Sequence, residues 1–78
     1  MTYYYLESDG AIDVPDIEYD RLNEAQRQLA LIVQAQRDIN GRAIEFDHEG
    51  GVRITDRGQY IATLSIVDDA GQRAPLGL

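Results

Sequence analysis

The residues of this 78-residue chain that could do chemistry are one histidine, fourteen carboxylates and two serines; cysteine is absent. His48 stands between Asp47 and Glu49 in "FDHEGG". A zinc site needs two or three further ligands at suitable spacing, and none follows. Without cysteine there are no disulfides and no thiolate metal sites. Asp68-Asp69 in "VDDAGQ" and the acids of "ESDGAID" lack the alternate carboxylates, central glycine and distal glutamate of an EF-hand loop. Their Asp and Gly residues suit turns, where Asp accepts local N–H bonds and Gly takes positive φ. Ser8 and Ser65 have no nucleophile-elbow setting. Gly50-Gly51 is not part of a phosphate-cradling loop. Neither a catalytic, a metal nor a cofactor site is therefore expected, and the chain reads as a non-enzyme.

The carboxylates are informative by number and place. Fourteen acids face seven arginines and no lysine, a formal net charge of −7. A free-standing nucleic-acid binder carries a basic patch, because neutralising phosphates supplies most of its nonspecific affinity. Direct nucleic-acid binding and docking on an anionic membrane are both disfavoured. Residues 1–26 hold seven acids (Glu7, Asp9, Asp13, Asp16, Glu18, Asp20, Glu24) and one base, Arg21, a net of −6. Residues 27–78 hold seven acids and six arginines, a net of −1. Three tyrosines, Tyr3 to Tyr5, open the same acidic third.

These residues need elements to position them. Thr2–Ser8 reads as a strand, since tyrosines favour a pleated surface. Asp9-Gly10 has the composition of a two-residue hairpin turn, with Ala11–Val14 returning as a second strand until Pro15 ends the ladder. Asp16 fits a helix N-cap, and Glu18 and Asp20 suit the positive end of the helix dipole. The helix is expected over about residues 17–39, with Leu22, Ala25, Leu29, Ile32, Val33 and Ile39 on one face and Asn40-Gly41 as its stop. Leu31 falls on the opposite, charged face. It is either a lone exposed leucine or a second contact, within the chain or with another chain.

Beyond Gly41 the period becomes two. "RAIEFD", "VRIT" and "QYIATLSIVDD" read as strands joined by "HEGG" and "DRG". In the last of them Tyr60, Ala62, Leu64 and Ile66 share a face, opposite Ile61, Thr63, Ser65 and Val67. "QRAPL" would suit a short edge strand. The expected fold is a single α+β domain over residues 1–78: an N-terminal β-hairpin, one long helix, then an antiparallel β-meander packed against it. The longest apolar run, Leu29–Val33, falls far short of the roughly 20 residues of a membrane span. The N-terminus also lacks the basic and apolar regions of a signal peptide.

In being short, acidic, cysteine-free, α+β and without motifs, the chain resembles small phage-encoded accessory proteins. These include inhibitors of host nucleic-acid machinery such as anti-CRISPR proteins, some of them DNA mimics. The opening "TYYYLESDGAIDVPD" resembles that of phage tail-fibre assembly chaperones. The resemblance implies a cytoplasmic location in a bacterial host and carries over no functional residue.

The first expectation is a non-catalytic protein that docks on a basic surface of a protein partner through Asp9, Asp13, Asp16, Glu18, Asp20 and Glu24. Tyr3 and Tyr5 would act as aromatic anchors. The second is a small structural or assembly subunit or chaperone acting as a homo-oligomer, a homodimer among the options, through Leu31.

Overall fold

The computed structural model covers Met1 to Leu78. The strong helical periodicity becomes α1, Leu22–Arg37. The alternating segments become strands β1 Tyr4–Ser8, β2 Arg42–Phe46, β3 Val52–Asp56 and β4 Gln59–Asp68. The four strands form one antiparallel sheet in the order β1-β4-β3-β2. The architecture is α+β, with α1 across one face of the sheet. Ala25, Leu29 and Val33 of α1 are buried against Leu6, Val52, Ile54, Ala62, Leu64 and Ile66. Each fully buried leucine, isoleucine or valine side chain there contributes about 1.5–3 kcal/mol. No helix is long and apolar enough to cross a membrane.

The N-terminal third departs from the expected hairpin. β1 pairs with β4, from Tyr4↔Asp68 to Ser8↔Leu64, and Ala11–Val14 forms no strand. The chain instead continues alongside β4, where the Ala11 N–H donates to the Ile61 carbonyl at 3.2 Å. Gly10 is not a positive-φ turn residue. It is needed because a Cβ there would lie 2.1 Å from the Ile61 carbonyl oxygen. Ile12 then tucks into the core, and the chain returns to the outer edge of β1 at Tyr19.

That return also moves the start of the helix. Tyr19 donates to and accepts from Tyr4 at 2.9 and 2.8 Å, which holds the preceding residues out of helical conformation. The helix therefore begins at Leu22 rather than Ile17. Arg21 is the extended N-cap residue and supplies no side-chain cap, so Asp16 is not the cap. Glu24 is the acid left in the first turn. At the other end the helix stops at Arg37, short of Ile39, and Gly41 adopts φ 91° beyond it.

A β-bulge alters the face pattern of β4. Ile54 pairs with Ala62 but Thr55 pairs with Tyr60, leaving Ile61 as the extra residue. The one-residue shift reverses the alternation. Ile61 turns to the helix side and packs on the core, while Tyr60 joins Thr63 on the open face. The expected grouping of Tyr60 with Ala62 and Leu64 is thereby corrected.

Two loops share one design. Asp47 Oδ1 accepts the N–H groups of Glu49 and Gly51 at 2.9 and 2.7 Å. Asp68 Oδ1 accepts those of Ala70 and Gln72, each at 2.9 Å. Gly50 and Gly71 take the positive φ at the equivalent place in each. The second loop folds "QRAPL" back onto β4. There Val67 pairs with Arg73, and the Ala74 N–H donates to the Ile66 carbonyl at 2.8 Å. Ala74 and Leu76 thereby join the core.

Candidate acidic surface

Asp13, Asp16, Glu18 and Asp20 all lie exposed on the segment that returns to the edge of β1. Glu24, also exposed, continues the series into α1. Tyr3 and Tyr5 are half-buried rather than free-standing. The Tyr5 hydroxyl donates to Glu18 Oε2 at 2.7 Å, tying β1 to the return segment. This hydrogen bond is the main reason the Tyr5 phenol is held above its usual pKa; Asp69 and Tyr3 add to it. Asp69 reaches this surface because Tyr4 pairs with Asp68. Sequence reasoning missed Asp69, since only the long-range pairing of β1 with β4 puts it there.

Ion pairs occur only in the second part of the chain, where they take up three of the seven acids of residues 27–78. The three pairs are Arg42–Asp56 at 3.7 Å, Arg53–Glu45 at 3.9 Å and Arg73–Asp47 at 3.9 Å. All lie between residues 42 and 73. None of the seven acids of residues 1–26 has a cationic partner.

Asp9 belongs to a different setting. Its carboxylate accepts the Thr63 N–H at 2.7 Å and the Tyr60 hydroxyl at 2.8 Å. These bonds, that of the Thr63 N–H first, hold its pKa below the usual carboxylate range. With Glu7, Ser8, Thr63, Ser65 and Arg73 it lines a polar depression of about 350 Å³ on the open face of the sheet. A carboxylate so held is a weak proton acceptor near neutral pH. Of the expected site residues, Asp9 is thus committed to holding the chain and Glu18 is tied to Tyr5, whereas Asp13, Asp16, Asp20 and Glu24 form no ion pair or side-chain hydrogen bond.

A second hollow, of about 460 Å³, separates α1 from the segment after β1. Ile12, Ile32, Ala35, Ile39 and Ile61 supply its apolar lining, with Asp13 and Arg42 among its polar members. Leu31 stands 61% exposed on the outer face of α1. His48 is exposed in its loop, and no three His, Asp or Glu side chains are grouped so as to hold a metal ion. Compared with known proteins, the chain matches no family model, no curated protein and no solved structure.

Proposed function

We propose that this chain is a non-catalytic binding protein whose acidic edge docks on a basic surface of a protein partner. The observation that carries the reading is the separation of charge. The acids of residues 42–73 include three in ion pairs, while those of the first 26 residues are unpaired and mostly exposed along one edge. Unpaired carboxylates in a row steer association with a positive surface and lose that effect as salt screens them. A partner whose own ligand is a nucleic acid fits this chemistry best, and occupying its site would make the chain an inhibitor that imitates a polyanion.

The test is capture of a partner on immobilised protein at about 0.05 and 0.5 M salt, with screening lengths of roughly 14 and 4 Å. The partner should be retained at low salt and released at high salt. The triple variant D16K/E18K/D20K should lose it, while reversal of Glu45 and Glu49 should not. Equal retention by the triple variant would refute the reading.

A second reading, self-association as a structural or assembly subunit, is favoured by one observation. Leu31 and Ala35 are exposed one turn apart on α1, and Ala35 and the exposed Ile39 beyond the helix line the apolar hollow. Leu31→Glu should then lower the sedimenting mass of a concentrated sample, and an unchanged mass removes Leu31 from the contact.

A further inference from the structure

The two edges of the sheet differ. The β1 edge is met by the return segment at Tyr19 and carries the unpaired acids. The β2 edge ends the strand order with no neighbour. The hydrogen-bond register identifies its free groups. The Arg57 N–H donates to the Gly41 carbonyl, and the Asp47 N–H to that of Gly51. Between them lie the pairs Ala43↔Thr55 and Glu45↔Arg53. Successive residues of a strand direct their main-chain groups to opposite sides. Odd-numbered residues from 41 to 47 therefore bond β3, and Arg42, Ile44 and Phe46 direct theirs outward. The Arg42 N–H is already taken by the Ile39 carbonyl at 3.1 Å.

We infer that β2 is the docking edge for a second copy of this chain, pairing antiparallel with itself about a two-fold axis at Ile44 to give a continuous eight-stranded sheet. In this register the two Ile44 residues exchange N–H···O bonds, and each Phe46 N–H reaches the Arg42 carbonyl of the other copy. No outward N–H of either strand is left unpaired. Opposed residues share a face, so Phe46, 55% exposed, lies opposite Arg42, and Ala43 opposite Glu45. Moving the register two residues one way sets Glu45 against Glu45, a destabilising like-charge pair. Moving it the other way leaves only the two Ile44-to-Arg42 bonds, because the Arg42 N–H is occupied.

Charge favours the same edge. β2 carries one arginine and one glutamate, and the Glu45 carboxylate faces Arg53 at 3.9 Å. Two copies meeting there keep Asp16, Glu18 and Asp20, which flank Tyr19 on the β1 edge, at the far ends. β2 has no lysine, proline or bulge, and its one inward-facing charge, Arg42, is engaged within the chain by Gln36 and Asp56. A five-residue edge makes a contact smaller than the roughly 1,000 Å² that a stable interface clears, so the dimer is concentration-dependent. The inference rests on the self-association reading and moves its contact from Leu31 to β2.

The cysteine-free chain suits a crosslinking test. Variants A43C and E45C are oxidised at high concentration, separately and as an equal mixture, beside sedimentation of wild type, F46K and L31E. Positions 43 and 45 face each other, whereas two copies of either one are offset along the strand by about 7 Å. The mixture should give several-fold more disulfide-linked dimer than either variant alone. F46K, whose substituted side chain is exposed, should sediment as monomer while keeping its circular dichroism spectrum. Equal crosslinking in the separate samples overturns the register. A dimer that survives F46K but dissolves with L31E overturns the β2 assignment and leaves self-association standing. A wild type that stays monomeric at millimolar concentration overturns both.

Discussion

The hydroxyl of Tyr60 lies 2.8 Å from each oxygen of the Asp9 carboxylate, joining the segment after β1 to the start of β4. The same hydroxyl lies 2.7 Å from Thr63 Oγ1. The bulge at Ile61 makes this contact, because regular alternation would have pointed Tyr60 to the other face. Charge-assisted hydrogen bonds contribute about 1.5–3 kcal/mol, and an exposed one less. Tyr60→Phe and Asp9→Asn should each lower stability by about 1 kcal/mol, a fall of about 4–8 °C in Tm for a domain this size. The double variant should cost less than the sum of the two. Strict additivity in thermal melts would show that the two residues do not act together.

Stability should fall at both ends of the pH scale. Asp9 and Asp47 are held below the usual carboxylate pKa, Asp47 chiefly by the Gly51 N–H and then by that of Glu49. The unfolded chain, with Asp near 3.9, takes up these protons at higher pH than the folded one. Their contribution is present above that value and is lost as pH falls through the folded pKa values. Tyr5 is raised, first by its bond to Glu18, and Tyr19 by burial. Their contribution is present below about pH 10 and is lost as pH rises through the folded values. Urea midpoints from pH 2.5 to 11 should trace both declines. Asp9→Asn should flatten the acid limb, and Tyr5→Phe the alkaline one.

Gly10→Ala should destabilise strongly. The new methyl would lie 2.1 Å from the Ile61 carbonyl oxygen and 3.0 Å from Ala62. These are backbone and core positions with little room to yield, and overpacking of this kind costs about 1–3 kcal/mol. Gly58→Ala serves as the contrast. Its Cβ meets nothing within 4 Å, and its cost arises from φ 83° alone, about 1 kcal/mol. Chemical denaturation of the pair would separate close approach from backbone strain.

Arg57→Asn should stabilise the protein. Arg57 and Gly58, the two residues between β3 and β4, have φ of 52° and 83°. Asn-Gly is a preferred pair for a turn with both φ positive, and arginine is not. The gain should be about 0.5–1 kcal/mol, read as a higher urea midpoint with an unchanged slope. A loss would mean that the Arg57 side chain makes a contact worth more than the strain it carries.

How far the fold was legible depended on the range of the forces involved. The buried face Ala25-Leu29-Val33 and the strands of the meander follow from periodicity, because each element answers to one core beneath it. The turns at Asp47, Arg57 and Asp68 follow from local chemistry. The errors in the N-terminal third trace to contacts distant in sequence. Asp16 resembles an N-cap in every local respect, but Tyr19 is held by Tyr4 and the helix must wait until Leu22. Asp9-Gly10 has hairpin composition, yet β1 finds its partner in β4. Ile61 carries no local mark of a bulge. For the acidic surface, the acids were countable from the sequence, but their division into Asp9, tied to Tyr60, and the unpaired series from Asp13 to Glu24 required the fold.

The strand order has a consequence for how the molecule is made. β2, β3 and β4 are neighbours in sequence and can pair as soon as they exist, with α1 beside them. β1 must pair with β4, so Tyr4 waits for Asp68, and contacts between such distant positions form slowly. On the ribosome the first strand emerges long before its partner, with Leu6 still exposed. The edge that carries Asp13 to Asp20 is held by Tyr4 at Tyr19, so it takes shape only when β1 has docked on β4. A nascent chain would therefore gain its proposed binding surface only once β4 is there to receive β1.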